Sequence, residues 1–478
     1  MEPHASSSVT RRRFLQISAV SAATLAACGS EITRATLTPL IAPSPTTSPR
    51  PSATLPPTAP PQPTDVTEPT PATPSPSATA AGGRRTLYRD GALADGRSAD
   101  LRVGVSILVA DGVIQWIRPS DAEEDPGPVA GLEVVDASGS TIVPGMVDSH
   151  SHLTMPGGAH WIDRGLDSAE QLLTYAEHNA RLQRSAGVYW ARDVGSPVRV
   201  DPHDGRERAL AIGLRERWAG RREYPYVRAA GTWVTRSGSL PAGLTAEAAN
   251  GDALLATAVR QLDDGADFVK LYLDGPDSGR SPWTVGEVQR VVQAAAARGA
   301  KVTAHSGNLD GARVGVAAGV HSLEHGFELD AELCAEMARR GTFLVSTLTV
   351  MRSWLTFGRT TTLPRFATDE GRRRVTARLE QATVSARLAH AAGVAICTGT
   401  DFGGGSARAN QLAWEVESLV EADLEPWQAL GAATWRGGEI LGEPEAGTIR
   451  EGGPADFFLV HGDPLSDPSA LWRVWRTA

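Results

Sequence analysis

The chain has 478 residues and a formal net charge of −9. That length carries one large domain or two ordinary ones. The acidic balance, with no basic patch interleaved with aromatics, gives no reason to expect a nucleic-acid partner. Cys28, Cys334 and Cys397 are too few for a disulfide framework, and Cys334 and Cys397 read as buried free thiols.

Residues 1–28 read as an export leader. Arg11, Arg12 and Arg13 precede a short apolar stretch from Ile17 to Ala27, too short to span a bilayer comfortably. The run Thr10-Arg11-Arg12-Arg13-Phe14-Leu15 resembles a twin-arginine signal, and Leu25-Ala26-Ala27-Cys28 resembles a bacterial lipobox. Together they imply export by the twin-arginine route, cleavage before Cys28 and a lipid on its sulfur. Such an anchor holds a protein on the outer face of the bacterial cell membrane without spanning it. A leader that is simply cleaved, with no lipid, is the other reading. Residues 29–85 follow, almost all Pro, Ser, Thr and Ala from Thr36 to Ala81. Such a segment cannot bury enough apolar surface to offset its ordering entropy, so it is predicted to be a disordered, extended linker.

From residue 86 to 143 short alternating patterns are broken by Gly-containing turns, as in Leu101–Val109, Asp111-Gly112 and Val113–Ile117. They predict a small β-domain. Between 144 and 440 strand-like runs alternate with helix-like ones. The strand candidates are Ile142–Val147, Val188–Val194, Tyr226–Val234, Phe268–Leu273, Lys301–His305, His321–His325, Phe343–Leu348 and Val394–Thr400. Amphipathic helices are predicted between most of them, at Ala169–Arg184, Val285–Ala297 and Arg372–Ala391 among others. Eight strands with intervening helices predict an α/β fold, a (β/α)8 TIM-type barrel. Residues 441–478 return to a β pattern and are expected to complete the small domain as a β-sandwich built from segments before and after the barrel. The sequence stops just after a strand-like stretch, with natural variation and a truncated reading frame both open.

Several strand candidates end in residues that bind metals. In Asp148-Ser149-His150-Ser151-His152 the period of two puts Asp148, His150 and His152 on one side. Two imidazoles at the C-terminal end of a barrel strand can share one ion, and barrel active sites lie at such ends. Alone, His-x-His is a weak signal. The chain as a whole, however, resembles the amidohydrolase superfamily. The motifs are IVPGMVDSHSHL, DFVKLYLDG, VTAHSG, HSLEHG and CTGTD, in that order, and the likeness covers essentially everything after residue 86. The nearest branch is similar to imidazolonepropionase-related and dipeptidase-like members, less to the ring deaminases.

The resemblance implies a role for each residue. His150 and His152 would hold the more buried of two metals, and His305 and His325 the outer one. Lys270 would bridge both as a carbamate, since an ammonium has no lone pair to offer. Asp401 would touch the inner metal and act as general base and acid. His321, at the start of its strand, is a rival ligand better read as structural. His160, His178, His203, His390 and His461 lack such context, and Asp193 recommends itself only as structural support. Two divalent ions, zinc first, suit this mixed imidazole and carboxylate set. A small amide is the substrate class that fits best: a dipeptide, an N-acyl amino acid or a cyclic amide. Tyr272 and Arg236 are candidate substrate contacts. The loops Ser237-Gly238-Ser239 and His305-Ser306-Gly307 depart from the family's usual Gly-Gly-His loop and histidine pair, so no particular family substrate carries over. Alternatives on the same metals are a deaminase, a lactonase or a phosphotriesterase-like hydrolase. An inactive lipid-anchored binding protein is the alternative from another class. Oligomeric state is not legible.

Overall fold

The computed structural model describes residues 84–123, 131–277, 279–405 and 407–478. The leader, with Cys28, and nearly all of the linker lie outside the described residues.

The N-terminal strands β1 (Arg85–Leu93), β2 (Arg102–Ala110), β3 (Val113–Pro119), β4 (Leu132–Asp136) and β5 (Ser140–Pro144) build the small domain. The β2–β3 turn is tight because Asp111 and Gly112 both take positive φ, 50° and 78°, as a two-residue hairpin requires. At the other end of the chain, β18 (Phe457–His461) pairs antiparallel with β5 and with β19 (Val474–Thr477). All seven strands are hydrogen-bonded into a single sheet, and its far parts meet over one core that includes Ile107, Ile114, Ile142, Phe457 and Leu459. Alternation along β5 and β18 serves two cores at once. Ile142, Phe457 and Leu459 face the small domain's interior, while Val143, Phe458 and Val460 face the barrel.

The barrel strands are β6 (Met146–Ser151), β7 (Val188–Asp193), β10 (Tyr226–Ala229), β13 (Phe268–Tyr272), β14 (Lys301–Ser306), β15 (Ser322–His325), β16 (Phe343–Ser346) and β17 (Ile396–Thr398). All pair in parallel in that order, as βα-repeats demand. Bridges Ala230–Phe268 and Ser151–Phe402 join the two partial sheets into a closed ring. Short strands decorate it: the hairpin β8 (Val198–Val200) and β9 (Glu207–Ala209), and the pair β11 (Val234–Arg236) and β12 (Ala246–Ala248). Helices cover the outside, including Ala169–Ser185, Val285–Ala296 and Asp369–Ala391.

Two predicted strands were in fact two elements each. Ile142–Val147 divides at Gly145, where a Cβ would lie 2.6 Å from the Tyr189 ring, and the chain there passes from the small sheet into the barrel. Tyr226–Val234 ends its barrel strand at Ala229 and resumes as β11. Phe343–Leu348 stops at Ser346, because Leu348 already opens a helix. The last helix predicted begins at Asp369 instead of Arg372, capped by the Thr368 side chain on the Gly371 amide.

Candidate metal centre

The strand ends bring the polar residues to one mouth. His150 and His152 are both 1% exposed, at the end of β6. Lys270 lies inside β13, His305 near the end of β14, and His325 closes β15. Asp401 follows β17 by three residues, tied to β6 by its amide donating to the His150 carbonyl. His325 and Asp401 both take left-handed backbone, φ 69° and 49°. That conformation is costly for residues with a Cβ and is retained where a side chain must be aimed. Gly404 passes so close over the His152 ring that any side chain there would collide with it.

Ligating atoms of His150, His325 and Asp401 lie within 4.8 Å of one another. Asp401 Oδ1 is 3.3 Å from His150 Nε2 and 3.1 Å from His152 Nε2. Behind the rings, Nδ1 is held each time: by Glu324 at 2.6 Å for His150, by the Gly195 carbonyl at 2.7 Å for His152, and by the Thr347 hydroxyl at 2.8 Å for His325. An anchored Nδ1 fixes the ring and leaves Nε2 to face the centre, the usual arrangement behind metal-binding histidines. Burial, then the Lys270 charge, lowers the pKa of His150; burial and the neighbouring His305 lower that of His325. A lowered pKa makes both rings easy to deprotonate, which frees the lone pair a cation needs. Burial would raise the carboxyl of Asp401, but the surrounding histidines outweigh it and hold it well below the usual range.

Lys270 is fully buried, and its Nζ has no hydrogen-bond partner. Burial brings its pKa down to about 8, against the pull of Glu324 and Asp401 in the other direction. A buried, unpartnered ammonium is costly. The lysine is an orphaned nitrogen aimed at a cluster of imidazoles and carboxylates, and this donor set fits divalent ions.

His305 stands slightly apart. Its ring is 4.4 Å from that of His325, but its Nε2 is 3.1 Å from Asp274 Oδ2. Tyr272 stacks on it at 3.9 Å. Arg236 lies farther out, its guanidinium 5.3 Å from the Trp283 ring. His321 is turned away from the cluster, its Nε2 3.3 Å from the Ile440 carbonyl. Asp193 accepts from the Leu153 and Gly195 amides, shaping the loops that seat His152. Cys334 and Cys397 are buried and free.

Sequence reasoning passed over Glu324, Arg192, Thr347, Asp274 and Trp233. Glu324 Oε1 accepts from Arg192 Nη1 at 2.9 Å, both side chains being almost wholly buried. Arg192 and Lys270 outweigh burial and keep the Glu324 pKa well below the usual range. A signal for this pair existed: an arginine and a glutamate inside two apolar strands must answer each other or some other charge. Trp233 packs its ring 4.7 Å from His152, and nothing in its local sequence pointed there.

A closed parallel barrel with histidines, a buried lysine and an aspartate converging at its strand ends defines a metal-dependent hydrolase. The amidohydrolase family model matches residues 141–476, and the chain belongs to that family. It is an enzyme that hydrolyses carbon–nitrogen bonds with the help of metal. An uncharacterised protein of Mycobacterium tuberculosis is 29% identical over 348 residues, covering 72% of this chain and 85% of its own. Ochratoxinase of Aspergillus niger is 29% identical over 239 residues, 46% of this chain and 47% of its own. Among solved structures, an Xaa-Pro dipeptidase with methionine bound in its active site superposes with a TM-score of 0.69 at 25% identity, covering 82% of this chain and 97% of that one.

Proposed function

We propose that this protein is an exported amidohydrolase that cleaves the amide bond of a small substrate: a dipeptide, an N-acyl amino acid or a cyclic amide. The observation that carries the reading is the unpartnered Lys270 Nζ, buried among His150, His325 and Asp401. His150 and His152 would hold an inner ion, His305 and His325 an outer one, and Lys270, carboxylated by CO2, would join both. Zinc suits the donors best. Ions held there would supply an acidic water near neutral pH and polarise a carbonyl. Asp401 would take a proton from the attacking water at its carboxylate and hand it to the leaving nitrogen. Water is thereby added across the C–N bond, giving a carboxylate and an amine. An aspartate held far below neutral pH is a weak base at rest, so its proton transfer is coupled to attack on the carbonyl.

The dipeptidase and ochratoxinase relatives support a small amide as substrate. Tyr272 and Arg236, both half-buried, would be the side chains that meet it. Among the described residues no helix is long and apolar enough to cross a membrane. Export and the lipid at Cys28 rest on the leader sequence, and mass spectrometry of the mature N-terminus tests them: an intact leader, or a Cys28 without lipid, rejects the anchor.

The deciding experiment is metal quantification followed by a screen over dipeptides, N-acyl amino acids and cyclic amides, with ammonia detection to reveal a deaminase. Two ions per chain and amide cleavage are expected. Lys270→Ala should lose metal, and unchanged metal content would argue against the carbamate. Asp401→Asn should keep most of its metal and lose at least about a thousandfold in kcat, as expected when a group aimed at the reacting atoms is removed.

A further inference from the structure

Two arginines from different loops at the barrel mouth reach across to the same short segment. Arg408 Nη1 donates to the Pro156 carbonyl and Arg365 Nη2 to the Ala159 carbonyl, each at 3.0 Å. We propose that residues 156–160 form a hinged flap over the inner half of the metal centre, with Arg365 and Arg408 as its latch. What the flap covers rests on the metal reading above; how it is held does not.

Both ends of the segment are fixed. The Met155 carbonyl accepts from Nδ2 of the buried Asn179 at 2.9 Å. At the far end the Gly165 amide donates to the Trp161 carbonyl at 2.9 Å, and the Gly165 carbonyl accepts from Arg199 Nη2 at 3.3 Å. Between these ends the backbone is bare. Among the described residues, none accepts a hydrogen bond from the amides of Gly157, Gly158, Ala159 or His160, and the Pro156 and Ala159 carbonyls are held by the two arginines alone. Both arginines are exposed, so water competes for each bond. Gly157 and Gly158 take left-handed backbone, φ 67° and 80°, at no steric cost. Two such residues in a row can absorb the rotation a hinge needs. The turn after β16 is held differently: the buried Glu415 takes the Leu348 and Thr349 amides, where water does not compete.

Beneath the flap lies His152. A Cβ at Gly157 would be 2.8 Å from the Ala407 carbonyl and 3.5 Å from the Gly403 nitrogen, so the flap rests on the stretch that follows Asp401. That stretch rests on the ligand in turn: a Cβ at Gly403 would be 2.4 Å from the His152 carbonyl oxygen, and one at Gly404 2.4 Å from His152 Nε2. Just past the flap, Trp161 packs with Met155, Leu244 and Trp233, and Trp233 lies against the His152 ring. A closed flap thus reaches the inner ligand by two routes, through the glycines after Asp401 and through the tryptophan pair. Lifting it should loosen Trp161 and open the way for an ion to leave.

The test uses the full chain grown with fluorine-labelled tryptophan, with Trp161→Phe and Trp218→Phe identifying two of the signals. Trp218, stacked on Tyr224 away from the flap, is the control. In the doubly substituted chain, Arg365→Ala with Arg408→Ala, the Trp161 signal should move toward its position in the urea-unfolded chain while that of Trp218 stays. Zinc-loaded protein chased with excess EDTA should lose its slower ion about tenfold faster than wild type, since each lost bond raises the open population a few-fold. Arg408→Lys alone should stay near wild type in both readings, because an ammonium still donates to a carbonyl. A double variant that matches wild type in either reading overturns the proposal, and so does a Trp218 signal that moves with that of Trp161. If the double variant does not melt cooperatively, Arg408→Ala alone decides by the same two readings. A wild type that binds no zinc rejects the metal reading instead and leaves the latch to be decided by the fluorine signals.

Discussion

At the floor of the barrel mouth, Glu324, Arg192 and His150 are shut away from water and answer one another's charge and hydrogen bonds, beside the buried and unpartnered Lys270 Nζ. At the rim, Asp274, His305, Tyr272 and Arg236 use the same chemical groups half in water, held by stacking and loop amides. The difference separates two jobs. A buried charge network has one low-energy arrangement and fixes the ligands' geometry. A half-exposed ring stack tolerates change. Substitutions at the floor should therefore damage stability and metal binding together, and those at the rim should change selectivity with the fold intact.

The largest effect is expected from Glu324→Gln. Glu324 accepts from His150 Nδ1 at 2.6 Å, Arg192 Nη1 at 2.9 Å and Ser322 Oγ at 2.9 Å, and also from Thr303. Gln keeps the shape but leaves the Arg192 guanidinium buried and uncompensated. Breaking a buried pair from one side costs about 3–5 kcal/mol, read as a lower denaturant midpoint alongside weaker metal binding. A variant as stable as wild type would erase the distinction between floor and rim.

Thr347→Val comes next. The swap is close to isosteric and removes only the hydroxyl that holds His325 Nδ1 at 2.8 Å. Metal affinity should fall about 10–100-fold, with a smaller change in Tm. Thr347 sits in a turn clamped by the buried Glu415, which accepts from the Ser346 hydroxyl and the Leu348 and Thr349 amides. That rigidity keeps the valine from relaxing into a new position, so the loss should appear at the metal.

The candidate ligands stand out in the sequence because each lies in or just after a short apolar run, and one motif supports the next. The barrel was legible for the same reason: buried parallel strands are short and apolar, and the helices between them are amphipathic. Residues that hold the ligands from behind were not. Thr347 and Asp274 read as ordinary turn residues, and only the third dimension brings them to His325 and His305. The break at Gly145 does not show in hydropathy because Ile142–Val147 is apolar throughout, although Ile142 faces the small domain's core while Val143, Met146 and Val147 face the barrel's. Periodicity reports burial and is silent on which core does the burying.

A smaller effect sits below the floor, at His321. Burial, then the Arg192 charge, lowers its pKa to about 4 from an ordinary 6.5. The folded state thus resists a proton that the unfolded chain accepts. Stability from this ring is complete above about pH 6.5 and is lost as the pH falls toward about 4, below which no more is lost. With the ring partly reached by water, the loss should be about 1–2 kcal/mol. His321→Gln should flatten the pH dependence of the unfolding midpoint over that window. An unchanged slope would place the acid sensitivity elsewhere.

Arg236→Ala is expected to have the smallest effect on the fold and to say the most about substrate. The guanidinium lies over Trp283, whose Nε1 donates to the Tyr272 carbonyl at 3.3 Å, and Tyr272 in turn stacks on His305. This chain of rings leads from the rim to the outer side of the cluster. Removing a half-exposed arginine from an aromatic face costs about 0.5–1 kcal/mol, so Tm should barely move. If Arg236 receives a substrate carboxylate, KM should rise about tenfold for a free dipeptide and stay level for the same dipeptide with its C-terminus amidated, because a charge-assisted hydrogen bond is lost only with the former. If Arg236 only packs, both substrates should change together. An equal rise for the two would remove Arg236 from the recognition of charge and leave the rim an aromatic surface.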